Sequence, residues 1–176
     1  MTNDYTEKMS LRRAPRSASR VPSAERPADP AAARAVAVAL LARRDFASGE
    51  LHARLTARGF EAAAAAEALA SLATEGLLSD ERYALNYVTW HAGRGQGPVR
   101  IAAELRALGL PPPLIEAALE SGPDWRALAA AARVRRFGRA APASWKDKAR
   151  QARFLQYRGF SADHIRAATG TDPDTD

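Results

Sequence analysis

Three basic side chains and a tyrosine are spaced so that they could bind the phosphates of a nucleic acid. Lys146, Arg150, Arg153 and Tyr157 follow one another at intervals of four, three and four residues. On a helix this spacing places them along one stripe, and no acidic residue stands within the pattern. Cations in line with an aromatic ring are typical of surfaces that follow a phosphate backbone. A solvated helix face gives the same pattern, so both interpretations stand at this point.

The sequence around this stripe is basic as well. Residues 121–170 contain eleven Lys and Arg against three Asp, whereas residues 31–120 contain nine Lys and Arg against ten Asp and Glu. Such a local excess of positive charge indicates an anionic partner, either a nucleic acid or an acidic protein surface. The candidate binding residues are Arg133, Arg135, Arg136, Arg139, Lys146, Arg150, Arg153, Tyr157 and Arg158, with Arg94 and Arg100 as a secondary group.

Residues for catalysis or metal binding show no comparable pattern. The chain has no Cys, and its three His are far apart in sequence, without the short spacing of metal ligands. A nuclease that binds a metal through Asp80, Glu81 and Glu104 is a much weaker alternative. Most acidic residues stand singly at predicted helix starts, where the helix dipole already favours them. We expect no enzymatic activity, no metal and no cofactor.

A glycine-rich segment at residues 93–98 resembles a phosphate-binding loop only superficially. No strand precedes it, and the lysine and hydroxyl residue of a Walker motif are missing. The sequence favours a flexible connector that ends with Pro98 in the first turn of a helix, where its missing N–H costs nothing. A backbone contact to phosphate at that helix N-terminus is the alternative.

A short sequence motif occurs three times and predicts the helices that must position the basic residues. Residues 55–60, 105–110 and 155–160 each contain a leucine, a glycine four positions later and then a large apolar residue. The three glycines are 50 residues apart. Glycine readily takes the left-handed conformation that ends a helix, and the next apolar side chain then folds back onto the last turn. The sequence therefore predicts a repeated helix–turn–helix unit.

Alanine-rich segments with helical periodicity predict that the repeats are entirely α-helical. We expect three tandem three-helix units, each similar in size to a helix-turn-helix DNA-binding module. The predicted boundaries are a disordered Pro- and Arg-rich tail at 1–30, repeat 1 at 31–78, repeat 2 at 79–121, the basic repeat 3 at 122–170 and an acidic tail at 171–176.

Local signals predict where several helices begin and which side chains they bury. Ser48 is expected to cap the second helix, and Ser144 with Asp147 resembles a capping box. The fourth helix carries an aromatic stripe that we expect in the core, namely Tyr83, Tyr87 and Trp90. The apolar stretch 36–42 lacks the cleavage site of a signal peptide and is shorter than the ~20 residues of a membrane span. We expect a cytoplasmic protein.

Several phrases together resemble the RecX family. They are residues 43–51 (RRDFASGEL), 75–84 (EGLLSDERYA), 97–105 (GPVRIAAEL), 136–138 (RFG) and 148–161 (KARQARFLQYRGFS). The resemblance extends from about Arg34 to Thr169, and the phrases occur in the family's order. The chain departs from the pattern at Ser79, where an acidic residue is common, and in its long N-terminal tail.

The resemblance implies an elongated, curved array of three three-helix units that regulates the RecA recombinase. RecX-like proteins bind the RecA–DNA filament and suppress its growth, and with it the ATPase, strand-exchange and co-protease activities of RecA in DNA repair and the SOS response. They are not enzymes and need no cofactor. We expect a monomer that binds single- or double-stranded DNA weakly and without sequence specificity. The alternative is an autonomous helical nucleic-acid-binding module, such as a helix-turn-helix repressor.

Overall fold

The computed structural model describes residues 27–170, which form nine α-helices and no strand. The helices are α1 (Pro30–Leu41), α2 (Ser48–Thr56), α3 (Ala62–Thr74), α4 (Asp80–Gly93), α5 (Pro98–Ala107), α6 (Pro112–Glu120), α7 (Trp125–Phe137), α8 (Trp145–Tyr157) and α9 (Ala162–Thr169). The predicted all-α fold class is confirmed. The predictions for 1–26 and 171–176 lie outside the described residues. No helix within the described range is long and apolar enough to cross a bilayer.

The helices pack as three consecutive groups of three. The extensive helix-to-helix contacts of the described chain fall within α1–α3, within α4–α6 and within α7–α9. Each group buries its own apolar cluster, and the fully buried leucines at the repeated position are Leu55, Leu105 and Leu155. The predicted three tandem units are therefore confirmed, while their residue boundaries at 78/79 and 121/122 stay a prediction.

The repeated glycine turn ends the middle helix of each unit. Gly59 has a φ of +96°, and its two equivalents both have +87°. In the first unit the backbone N–H of Phe60 donates to the carbonyl of Leu55 at 3.2 Å, and the Phe60 side chain is buried. The same bond closes the other two turns, from Leu110 to Leu105 and from Phe160 to Leu155. These bonds use carbonyls that the helix end leaves free, as expected from the repeated phrase.

Two helix starts differ from the sequence-based expectation. Ser48 does not cap α2, because Ala47 occupies the N-cap position without a side-chain bond. The backbone and hydroxyl of Ser48 instead donate to the carboxylate of Asp80 in the second unit, the backbone bond measuring 2.7 Å. At α8, Ser144 accepts from the backbone of Asp147 at 3.2 Å, which is half of the predicted capping box. A complete box caps α9 and pairs Ser161 with His164.

The units join where a helix start lies against the next unit's glycine turn. Both helix starts carry a glycine that leaves no room for a side chain. A Cβ on Gly49 would lie 2.6 Å from the carbonyl oxygen of Leu108, and a Cβ on Gly97 would lie 2.3 Å from the carbonyl oxygen of Gly159. At the second joint the N–H of Gly97 donates to the carbonyl of Arg158 at 2.8 Å, and the N–H of Val99 donates to that of Gly159 at 3.0 Å. The same kind of joint therefore connects both pairs of neighbouring units.

Candidate nucleic-acid interface

Helices α7 and α8 form a basic groove in the third unit. Its lining residues are Arg136 and Phe137 from α7 and Arg150, Arg153, Phe154 and Tyr157 from α8, around a volume of about 610 Å³. The three arginines are exposed, and Tyr157 is 83% exposed. The opposite face of α8 is buried through Gln151 and Leu155, which fixes the helix with its basic side outward.

The Phe137 ring contacts two of the three guanidinium groups of this groove. The guanidinium carbons of Arg136 and Arg150 lie 5.6 Å and 5.4 Å from the centroid of the Phe137 ring. Phe137 packs edge-on against Phe154, with ring centroids 5.4 Å apart. Cation–π contacts of this length hold a guanidinium close to a ring while leaving its N–H groups available. The groove therefore presents ordered cations to an anion.

The cationic stripe is interrupted by one carboxylate that the sequence pattern did not place on it. Asp147 pairs with Arg150 at 3.1 Å, so the expectation of a stripe without acidic neighbours is wrong at this position. The pair is exposed. Exposed ion pairs contribute about 0–1 kcal/mol to the free energy of unfolding, and salt screens them. Arg153 forms no such pair with any described residue. Lys146 is exposed but lies outside the groove, as does Arg139.

Arg133 was expected at the binding surface, and the structure contradicts this. It is only 7% exposed. Its Nη1 donates to the carbonyl of Ala140 at 2.9 Å and to Oε1 of Gln151 at 3.2 Å, and its Nη2 donates to the carbonyl of Arg139 at 3.3 Å. A guanidinium committed to three acceptors inside the unit holds the loop after α7 against α8. Arg133 therefore stabilises the third unit and is not available to an outside phosphate.

A second, smaller cavity lies beside the basic groove, at the joint between the second and third units. Arg94 and Gly95 line it from the second unit, and the third unit contributes Arg135, Arg136 and Arg158 among others, around about 130 Å³. The Nη1 of Arg158 donates to the carbonyl of Arg94 at 3.1 Å. Both cavities share Arg136, so the basic surface continues from the groove to the joint.

Arg100 also lies at this joint, beside the glycine turn of the third unit. A Cβ on Gly159 would lie 2.3 Å from the Cβ of Arg100. The Nε of Arg100 donates to the carboxylate of Glu104 at 2.9 Å. This hydrogen bond raises the pKa of Arg100, and the electrostatic interaction with Tyr157 raises it further by a smaller amount. The structure thus brings the secondary candidates Arg94 and Arg100 to the third unit, although they belong to the second unit and precede the start of α7 at Trp125.

The glycine-rich segment between α4 and α5 is part of the joint rather than a phosphate-binding loop. Pro98 is the first residue of α5 and has no N–H, as expected. The neighbouring N–H groups of Gly97 and Val99 already donate to carbonyls of the third unit. Two of the N–H groups that a phosphate at this helix N-terminus would need are therefore already used within the chain, which favours the connector over the phosphate-binding alternative.

One of the three aromatic residues expected in the second core is exposed. Tyr83 and Tyr87 are half-buried against the core, whereas Trp90 is 57% exposed. The buried stripe of α4 includes Val88, and a residue two positions later points to nearly the opposite side of a helix. The guanidinium carbon of Arg94 lies 4.3 Å from the Trp90 ring centroid. Trp90 and Arg94 therefore form an exposed pair near the joint.

A polar network supports the end of α4 beside the joint. Burial raises the pKa of Glu104, but hydrogen bonds from Arg100 and from the hydroxyl of Tyr87 outweigh burial and lower it overall. The His91 ring stacks on the Tyr87 ring, with centroids 3.9 Å apart. The Nδ1 of His91 is hydrogen-bonded to the side-chain amide oxygen of Gln96. Within residues 27–170 no group of three or more His, Asp or Glu is placed to hold a metal ion.

Comparison with known proteins identifies relatives over almost the whole described chain. Family models of the first, second and third three-helix domains of RecX match residues 33–72, 79–119 and 124–169. The regulatory protein RecX of Halorhodospira halophila is 45% identical over 146 residues, which cover 82% of this chain and 91% of the relative. That of Stenotrophomonas maltophilia is 42% identical over 139 residues, covering 78% and 85%.

Solved structures agree in fold. The crystal structure of RecX from Lactobacillus salivarius superposes with a TM-score of 0.70 at 20% identity, covering 80% of this chain and 94% of that chain. A second crystal structure of a regulatory protein RecX gives a TM-score of 0.66 at 21% identity, covering 79% and 70%. Three matched domains in the family's order, with relatives above 40% identity along most of their length, show that the chain belongs to the RecX family.

Proposed function

We propose that this protein is a negative regulator of the RecA recombinase, which binds the RecA–DNA filament and suppresses its growth. The ATPase, strand-exchange and co-protease activities of RecA would fall with the filament. Membership of the RecX family supports the proposal, since its relatives are named regulatory proteins. In this proposal the protein acts by binding alone, as a cytoplasmic monomer, in DNA repair and the SOS response.

The basic groove is the single observation that carries the proposed mode of action. Arg136, Arg150 and Arg153 are exposed on one surface, and Asp147 is the acidic side chain paired with them in the described chain. Phosphates attract such a surface over a distance of about 8–10 Å at physiological salt. A filament that contains both DNA and protein offers phosphates and acidic side chains in one groove, so this surface suits it.

The ATPase activity of RecA on single-stranded DNA tests the proposal. We expect this protein, added below the concentration of RecA, to lower the rate of ATP hydrolysis progressively as filaments stop growing. Unchanged hydrolysis at equimolar protein would contradict the proposal. The loss of activity should also appear as shorter filaments by electron microscopy, because filament growth is the step proposed to be blocked.

Two single substitutions give a matched test of the surface. Arg153→Glu and Arg106→Glu each change the charge by two, and both arginines are exposed on the middle helix of their unit. Arg153 lines the basic groove, whereas Arg106 lies at the end of α5 that faces the first unit. We expect Arg153→Glu to raise the half-inhibitory concentration severalfold and Arg106→Glu to leave it within twofold. Equal effects would show that only net charge matters.

Direct DNA binding separates this proposal from the repressor alternative. We expect weak binding without sequence preference, because the candidate contacts are guanidinium groups suited to phosphates. Its affinity should fall with salt by a slope of about −0.7 per phosphate contacted on a single strand. Tight binding to one duplex sequence in the absence of RecA would instead support a helix-turn-helix repressor.

A further inference from the structure

The exposed ring of Tyr157 lies in the basic groove, and phosphate binding alone does not explain it. Tyr157 is the last residue of α8 and is 83% exposed, the largest exposure among the large apolar and aromatic side chains in the described chain. It lines the groove with Arg150 and Arg153. Phosphates bind guanidinium groups without any aromatic partner. A single exposed ring is common on protein surfaces, so its place in this groove is what matters.

A second exposed ring lies on the same continuous surface. The Arg94 guanidinium lies over the Trp90 ring, and the backbone carbonyl of Arg94 accepts a hydrogen bond from the Arg158 guanidinium across the joint. The joint cavity and the basic groove share Arg136 and Phe154. Exposed aromatic side chains therefore occur on both sides of the joint, and the Arg94 guanidinium covers one face of Trp90.

The combination fits single-stranded nucleic acid better than the other anionic partners. An acidic protein surface supplies carboxylates but no series of aromatic faces beside its charges. In duplex DNA the faces of the bases are stacked inside the helix, so that an exposed tyrosine ring meets only the backbone or the base edges. A single strand exposes both its phosphates and the faces of its bases, and proteins bind it by stacking bases on aromatic side chains beside basic residues.

We propose that the basic groove binds single-stranded nucleic acid, with Arg136, Arg150 and Arg153 contacting phosphates and Tyr157 stacking against a base. Trp90 extends the same surface across the joint, and a base would stack on the face that Arg94 does not cover. Arg158 contributes to this surface indirectly, because its guanidinium donates to the backbone carbonyl of Arg94 and so links the two units. This inference specifies the nucleic-acid contact of the function proposed above, and it is tested without RecA.

The test compares DNA with and without bases. Fluorescence anisotropy measures the binding of labelled oligo(dT), of an abasic oligonucleotide of equal length and of a duplex to the full-length protein over a range of salt concentrations. We expect Tyr157→Ala to weaken oligo(dT) binding by about 5- to 150-fold, the contribution of one stacked base, with an unchanged salt slope. Abasic and duplex binding should stay within twofold, and Tyr157→Phe should retain the affinity for oligo(dT).

Arg153→Gln is the matched control because it removes a phosphate contact and no ring. We expect it to weaken oligo(dT) and abasic binding alike and to make the salt slope shallower by about 0.7. Circular dichroism checks that each variant is folded. Absence of oligo(dT) binding at low salt would overturn the inference, as would equal effects of Tyr157→Ala on DNA with and without bases. Either result leaves inhibition of RecA to be judged separately by its ATPase assay.

Discussion

The joint between the second and third units is so closely packed that one added methyl group should open it. An alanine Cβ at position 97 would lie 2.3 Å from the carbonyl oxygen of Gly159 and 2.4 Å from the backbone nitrogen of Phe160. These neighbours are backbone atoms, so no side-chain rotation can make room. We therefore expect Gly97→Ala to push the glycine turn of the third unit away from the start of α5.

The cost follows from the bonds that this movement breaks. The N–H of residue 97 donates to Arg158, and the N–H of Val99 donates to Gly159. A backbone hydrogen bond contributes about 0.5–1.5 kcal/mol net, so losing both should cost roughly 1–3 kcal/mol. This corresponds to about a 5- to 150-fold increase in the population of the open joint. Each unit has its own core, and the helices themselves should remain folded.

Hydrogen exchange at the Val99 amide measures this opening directly. We expect Gly97→Ala to lower its protection by about 5- to 150-fold, while the amides in the core of α5 keep their protection and the helical circular dichroism is unchanged. Gly93→Ala is the control, because nothing lies within 4 Å of a Cβ there. Gly93 is in a helix, where alanine is favoured by about 0.5–1 kcal/mol. Wild-type protection of Val99 in Gly97→Ala would refute the described joint.

Three further predictions concern stability. Leu105→Ala should destabilise the second unit by roughly 2–5 kcal/mol, since the side chain is fully buried, and a denaturation midpoint within error of wild type would contradict this. Arg133→Ala should lower the free energy of unfolding by about 1–3 kcal/mol because it leaves the buried side-chain oxygen of Gln151 without its donor, whereas Arg136→Ala should change it by no more than about 0.5 kcal/mol. Glu104 has a pKa below its ordinary value of 4.5 when folded, so its stabilising effect is present above pH 4.5 and is lost as pH falls through the folded pKa. Denaturant unfolding at pH 3–6 should show this loss in the wild type and a flatter profile in Glu104→Gln.

The turns that end the middle helices were predictable from sequence because they depend on residues close together in the chain. A leucine, a glycine and an apolar residue within six positions specify both the left-handed backbone and the side chain that folds back. The helix Ala62–Thr74 follows directly after the first turn, as a repeated helix–turn–helix unit requires. By contrast, the start of α2 depends on Asp80, which is 32 residues from Ser48, and no local pattern could reveal this contact.

The candidate site was only partly predictable for the same physical reason. A cluster of arginines signals an anionic partner, but it does not show which guanidinium the fold encloses. Arg133 follows buried Ala129 by four residues, and this helical spacing was the available signal that it faces inward. The role of the glycine-rich segment was hidden, because its partner Gly159 lies about 60 residues later in the chain.

Charge reversal within the basic groove is the most direct test of whether this surface inhibits RecA. The measurement is inhibition of the RecA ATPase on single-stranded DNA by the triple variant Arg136→Glu/Arg150→Glu/Arg153→Glu. The variant and the wild type are compared at the same protein concentration and the same salt concentration. Because all three side chains are exposed, helicity and melting should change little, while attraction to phosphates becomes repulsion. We expect that the folded triple variant no longer inhibits RecA, whereas Arg106→Glu inhibits as the wild type does. Full inhibition by the folded triple variant would contradict the proposed role of the basic groove and place the inhibitory surface elsewhere on the molecule.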